Sequence, residues 1–157
     1  MVNLNQTQEL NMSAFNPNDF LNTAVTASNS TSTKPIREHE AMAYVKDVAI
    51  RTPKESVILD ITWVIDSAEA KEDTGFNEPQ VRQSIFLDID SSGHLDMSEG
   101  KNIQLGRVRK ALNQNESGKP WAPSMMVGQP ARVHVSQRPD SKKPDVIYND
   151  IKSVVAA

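Results

Sequence analysis

The sequence predicts a mostly β domain of five strands and one helix, led by a flexible arm over residues 1–35. Three observations predict it. Apolar residues alternate at period two through 56–66 and 81–89, as in half-buried strands. A stripe at period 3.6 runs through 101–114, between the third and fourth strands. Residues 1–35 are dominated by Asn, Ser and Thr and have no sustained period.

Within the arm, Phe15-Asn16-Pro17-Asn18-Asp19-Phe20-Leu21 stands out. Asn16 or Asn18 can accept from free backbone N–H groups and cap a short turn. Phe15, Phe20 and Leu21 then dock on the domain or on a partner, or are only a sticky tail. The domain is expected over 36–157. Its first strand is EAMAYVKDVAI at 40–50, and the second is SVILDITWVID at 56–66. In the second, Leu59, Ile61, Trp63 and Ile65 share one face, and Asp60, Thr62 and Asp66 share the other. RTPKE between them has the proline and charge of a hairpin turn. SAEAKEDTGFNEPQ at 67–80 is polar and reads as a long exposed loop.

The third strand is VRQSIFLDI at 81–89, with Ile85, Leu87 and Ile89 on one face. The helix is expected at 101–113, burying Leu105, Val108, Ala111 and Leu112 and turning Arg107 and Lys110 outward. Gly106 lowers helix propensity and suggests close packing. The fourth strand, 131–137, points Ala131, Val133 and Val135 inward and Arg132 and His134 outward. The turn RPDSKKPD leads to the fifth strand, 146–155. Three strands, a helix and two strands suit a five-stranded OB-like barrel with its helix between strands 3 and 4.

A length of 157 residues suits one domain able to bury about two thirds of its unfolded surface. There are no cysteines, which excludes disulfides and thiolate metal sites and fits a reducing cytosol. No run of 18 apolar residues predicts a membrane span, and no basic-then-apolar leader predicts export. The net charge of −3 conceals a division. Residues 34–100 hold 14 acids and 7 bases, whereas 101–143 hold 9 bases and 2 acids. Such a block can bind a polyanion, or it can be a solvated surface balancing the acidic one.

One local motif has calcium-loop spacing. Asp88, Asp90, Ser92, Asp96 and Glu99 stand at positions 1, 3, 5, 9 and 12, with Gly93 at 6. A strand-like VRQSIFL precedes it where an EF-hand has a helix, and no second copy exists. The expectation is an acidic turn without metal; a calcium-binding EF-like loop is the alternative. No catalytic constellation is present. His39, His94 and His134 are scattered, and Gly118-Lys119 lacks the phosphate-loop glycines. The chain is therefore expected to be no enzyme and to hold no cofactor.

The basic block is the stronger functional candidate. Arg107, Lys110, Lys119, Arg132, Arg138, Lys142 and Lys143 occupy the helix, the next loop and the strand 4–5 hairpin, which borders the groove of an OB barrel. Single-strand binders add aromatic platforms. Phe86, Trp121 and Tyr148 are the candidates, with Trp121 equally explained by docking between two prolines; Trp63 is assigned to the core.

The chain also resembles small bacteriophage proteins regarded as single-stranded DNA-binding OB-fold accessories of replication or recombination. The resemblance lies in FNPNDFLNT, EAMAYVKDV, IFLDIDSSGHLDMSEGKNIQLGRVRKALNQN, GKPWAPSMMVGQPARVHVSQRPD and IYNDIKSV. It implies a DNA-binding barrel without metal or catalysis, acting in the cytoplasm of an infected bacterium. It also implies partners among phage replication or recombination proteins, or further copies of the chain. The chain departs from replication-type binders in ending SVVAA rather than in an acidic tail. The rival expectation is a phage structural or protein-interaction domain that docks through its arm.

Overall fold

A computed structural model describes residues 14–31 and 34–157. The chain divides into two units, Met1–Ser32 and Thr33–Ala157. Much of the expected flexible arm, residues 1–13 and 32–33, lies outside the described residues. In the first unit a short helix, α1 (Pro17–Asn22), forms where the sequence places a cap. Asn16 Oδ1 accepts from the N–H groups of Asn18 and Asp19 at 3.0 and 3.2 Å, and Pro17 opens the helix. The rings of Phe15 and Phe20 meet at 5.1 Å between centroids.

The second unit contains β1 (His39–Arg51), β2 (Ile58–Asp66), α2 (Ala68–Thr74), β3 (Gln80–Phe86), α3 (Ile103–Ala111), β4 (Pro130–Pro139) and β5 (Ile147–Val155). A 3₁₀ turn, Pro123–Met126, precedes β4. The strands form one antiparallel sheet in the order β3-β2-β1-β4-β5. β1 serves two neighbours: its first half pairs with β4 from His39 to Tyr44, and β2 covers it from Met42 to Arg51. The register skips Lys46, a bulge that bends the strand between its partners.

The core is built from alternate residues. Leu59, Ile61, Trp63 and Ile65 of β2 are buried as the alternation requires, and Val133 and Val135 of β4 join them. The other face of β2 is covered as well, with Ile58, Val64 and Asp60 buried and Asp60 accepting from Arg51 and Ser84. Leu105, Val108 and Leu112 carry the buried stripe of α3 into the same cluster. Each such side chain contributes about 1.5–3 kcal/mol through removal from water. The Trp63 indole N–H donates to Gln83 Oε1 at 2.9 Å, so its one polar group is satisfied inside. No helix among the described residues is long and apolar enough to cross a membrane.

Four expectations are corrected. The barrel is not closed: β3 and β5, the two edges of the sheet, run side by side without a ladder between them. Segment 67–80 is not all loop. Ser67 caps α2 by accepting from Ala70 N–H at 3.1 Å, and Gly75 ends it in the left-handed region at φ 75°. The helix persists because Ala70 and the Arg37–Asp73 pair fix it. Asp73 accepts from the Arg37 backbone N–H at 2.8 Å and from its guanidinium at 2.9 and 3.0 Å. The third strand stops at Phe86, so Ile89 leaves the expected face and bridges Leu95 in a small hairpin. Gly106 does not mark close packing, since a Cβ there would meet nothing within 4 Å.

Candidate nucleic-acid interface

The unpaired edges of β3 and β5 leave a seam, and a cleft of about 500 Å³ opens along it. Arg82 and Ser84 border it from β3, Gln104 from α3, Arg138 from β4, and Tyr148 and Asp150 from β5. Strand alternation explains the set. Val81, Gln83 and Ile85 point into the core, so Arg82, Ser84 and Phe86 point out. Arg138 and Tyr148 are register partners across the β4–β5 ladder and share one face.

Around the hairpin the charges are partly matched. Arg138 Nε donates to Asp150 Oδ2 at 2.8 Å, and its guanidinium lies 5.2 Å from the Tyr148 ring centroid. The Tyr148 hydroxyl donates to Asp140 Oδ2 at 3.0 Å. Asp140 Oδ1 accepts from the N–H groups of Lys142 and Lys143, fixing the turn. Those backbone bonds and Tyr148 hold the Asp140 carboxyl below the usual range, while the hydrogen bond to Asp140, and then its charge, push the Tyr148 phenol up. Arg138 is raised by its bond to Asp150. Arg82, exposed on the opposite edge, makes no salt bridge among the described residues. The seam thus has on one side, β3, a cation without a salt bridge among the described residues and on the other, β4, a cation held by a carboxylate. Phe86, 68% exposed, shares the outer face of β3 with Arg82.

No protein-family model matches this chain, and comparison with curated proteins finds no match.

Of the residues singled out in the sequence, the fold gathers Arg138 and Tyr148 at the cleft, with Lys142 and Lys143 in the adjoining turn. The others are dispersed. Arg107 and Lys110 are exposed on α3. Arg132 sits on the outer face of β4 between Met42 and Val155. Lys119 pairs with Glu116 at 2.8 Å. Trp121 is docked rather than displayed: its indole N–H donates to Gln114 Oε1 at 2.9 Å, and Arg109 lies over its ring at 4.1 Å. Arg82 and Gln104 escaped sequence reasoning. Alternation with Val81 already put Arg82 outside, but it lies in the acidic half of the chain, away from the basic block.

The calcium-spaced segment uses its acids on its own backbone. Asp90 Oδ1 accepts from Ser92 and His94 N–H at 2.9 and 3.1 Å, and Asp96 Oδ1 accepts from Ser98 N–H at 3.0 Å. Asp88 Oδ2 accepts from Asn102 N–H at 2.9 Å, and the Asn102 amide donates back to the carbonyls of Asp88 and Asp96. Ser92 and Glu99 are exposed. Among the described residues no three His, Asp or Glu side chains converge as metal ligands.

Proposed function

We propose that this protein binds single-stranded DNA non-enzymatically along the β3–β5 seam, as an accessory to phage DNA replication or recombination in the cytoplasm of an infected bacterium. One observation carries the reading: two exposed cations, Arg82 and Arg138, and the Tyr148 ring border one cleft, with Phe86 exposed farther along the outer face that carries Arg82. On this reading the sheet is an OB-like barrel left open at one seam, an architecture already known to be only partly closed. Arg82 and Arg138 neutralise backbone phosphates, with Lys142 and Lys143 extending the track. Tyr148 and Phe86 stack on bases, each worth about 1–3 kcal/mol. Because stacking needs only a π-face, sequence choice is weak.

The test is a fluorescence titration with labelled oligo-dT at two salt concentrations. Charge reversal at Arg82 and Arg138 weakens binding and flattens the log–log salt slope by about 0.7 per lost contact. Tyr148→Ala weakens binding with little change of slope, because stacking releases no counterions. Equal affinity of wild type and double reversal removes the site.

A second reading rests on the arm. Phe20 and Leu21 are 65% and 80% exposed on a capped helix, a form suited to docking on a protein partner. It predicts a partner complex that Phe20→Ala abolishes while oligo-dT binding is unaffected.

A further inference from the structure

On the α3 stripe that includes Asn102, Leu105, Gly106 and Arg109 lies a second cavity, of about 210 Å³, which the DNA reading does not use. Arg109 supplies its charge. The Arg109 Nε donates to the Gln114 carbonyl at 3.0 Å, and the guanidinium lies over the Trp121 ring. No carboxylate forms a salt bridge with it among the described residues, in contrast to Arg37, Arg51 and Arg138. Burial pushes its pKa down, and what offsets that cost is the Gln114 carbonyl and the Trp121 face rather than an anion. An arginine cannot relieve the penalty by losing its proton. A half-buried guanidinium at a cavity wall therefore favours an anion.

The rest of the wall is mixed, apolar at Leu95, Met97 and Ile103 and polar elsewhere. Lys101 adds a second cation, and Asn115 adds an amide. Gly106 is the wall's bare stretch, since a Cβ there would meet only open space. One acid borders the cavity, Asp96, whose Oδ1 accepts from Ser98 N–H and whose charge Lys101 partly balances, which leaves Arg109 as the cation without a carboxylate. The volume exceeds what a bare ion needs and falls short of the roughly 300 Å³ at which drug-sized sites begin.

We infer that this cavity is a phosphate site, in which the Arg109 guanidinium and the Lys101 ammonium hold one phosphate group, free or carried on a nucleotide. Arginine offers the planar fork that a phosphate accepts bidentately, and lysine adds a point charge.

The experiment is phosphorus NMR of the full chain titrated with inorganic phosphate, then with a nucleoside monophosphate and with oligo-dT bearing or lacking a 5′-phosphate. Wild type is expected to show saturable broadening of the inorganic phosphate signal. Tighter binding of the monophosphate and the 5′-phosphorylated strand identifies a nucleotide as the source; no gain over inorganic phosphate identifies the free ion. Gly106→Leu fills the cavity while leaving Arg109 and Trp121 in place, and weakens phosphate binding by about tenfold or more. Lys101→Gln, an exposed change that leaves the core alone, weakens it severalfold. No saturable binding by wild type, or undiminished binding by a folded Gly106→Leu or by Lys101→Gln, overturns the site. The seam is scored separately by unphosphorylated oligo-dT, so either site can fail without the other.

Discussion

Asp150 restrains the proposed DNA surface, and removing its charge is the most discriminating perturbation of it. Arg138 cannot give its Nε–H to a phosphate while Asp150 Oδ2 accepts it at 2.8 Å. A phosphate that joins Asp150 on the same guanidinium stands about 5 Å from that carboxylate, and Coulomb's law at the dielectric of water makes this repulsion worth about fourfold in affinity. Asp150→Asn is nearly isosteric and keeps a side chain able to pack in the same place. It should therefore raise oligo-dT affinity about fourfold at low salt, with the gain shrinking as salt screens the surface. Arg138 holds the same phosphate in both proteins, so the counterions released, and with them the main salt slope, stay about the same. The assay is fluorescence anisotropy of labelled oligo-dT across a salt series, with Arg138→Gln alone and combined with Asp150→Asn. In the double variant the gain in affinity should vanish. Unchanged low-salt affinity in Asp150→Asn, or a gain that survives Arg138→Gln, would refute the assignment of Arg138 to a phosphate.

Other consequences concern the scaffold. Leu112, 5% exposed at the end of α3, should cost about 2–5 kcal/mol on truncation to Ala in urea unfolding; a loss below about 0.5 kcal/mol would place the stripe outside the core. Gly106→Ala should stabilise the fold by about 0.5–1 kcal/mol, because it removes backbone freedom in a helix interior with no clash; a destabilised variant would show that the space is not free. The Asp73 carboxyl is held well below the usual range by the Arg37 guanidinium and backbone N–H. Its stabilisation is therefore complete above the unfolded pKa of about 3.9 and is lost as pH falls through the lower folded value, where the unfolded chain binds more protons. Urea midpoints measured down the acid limb should fall less steeply for Asp73→Asn than for wild type, and identical limbs would dissociate the pair from acid stability.

The alternation in 81–86, the core face of 56–66 and the stripe at Leu105, Val108 and Leu112 were legible in the sequence because burial of one face imposes its period on the residues, whereas the burial of Ile58, Asp60 and Val64 on the other face of β2 was not. The Asn16 cap, a bond between neighbours in the chain, was legible too. The helix Ala68–Thr74 was less so: its Ser67 cap and Gly75 stop are local, but the partner that fixes it, Arg37, lies 36 residues from Asp73. For the candidate site, alternation could say that Arg82, Phe86 and Tyr148 face outward, but not that two strands far apart in the chain lie edge to edge. Nor could charge counting show that Asp140 and Asp150 engage Tyr148 and Arg138, or that Trp121 is covered by Arg109. Periodicity and caps are properties of a few consecutive residues and survive in any fold that buries them. Which edges meet, and which charges are left without a partner, is set by strand order and register, and these depend on contacts between distant parts of the chain.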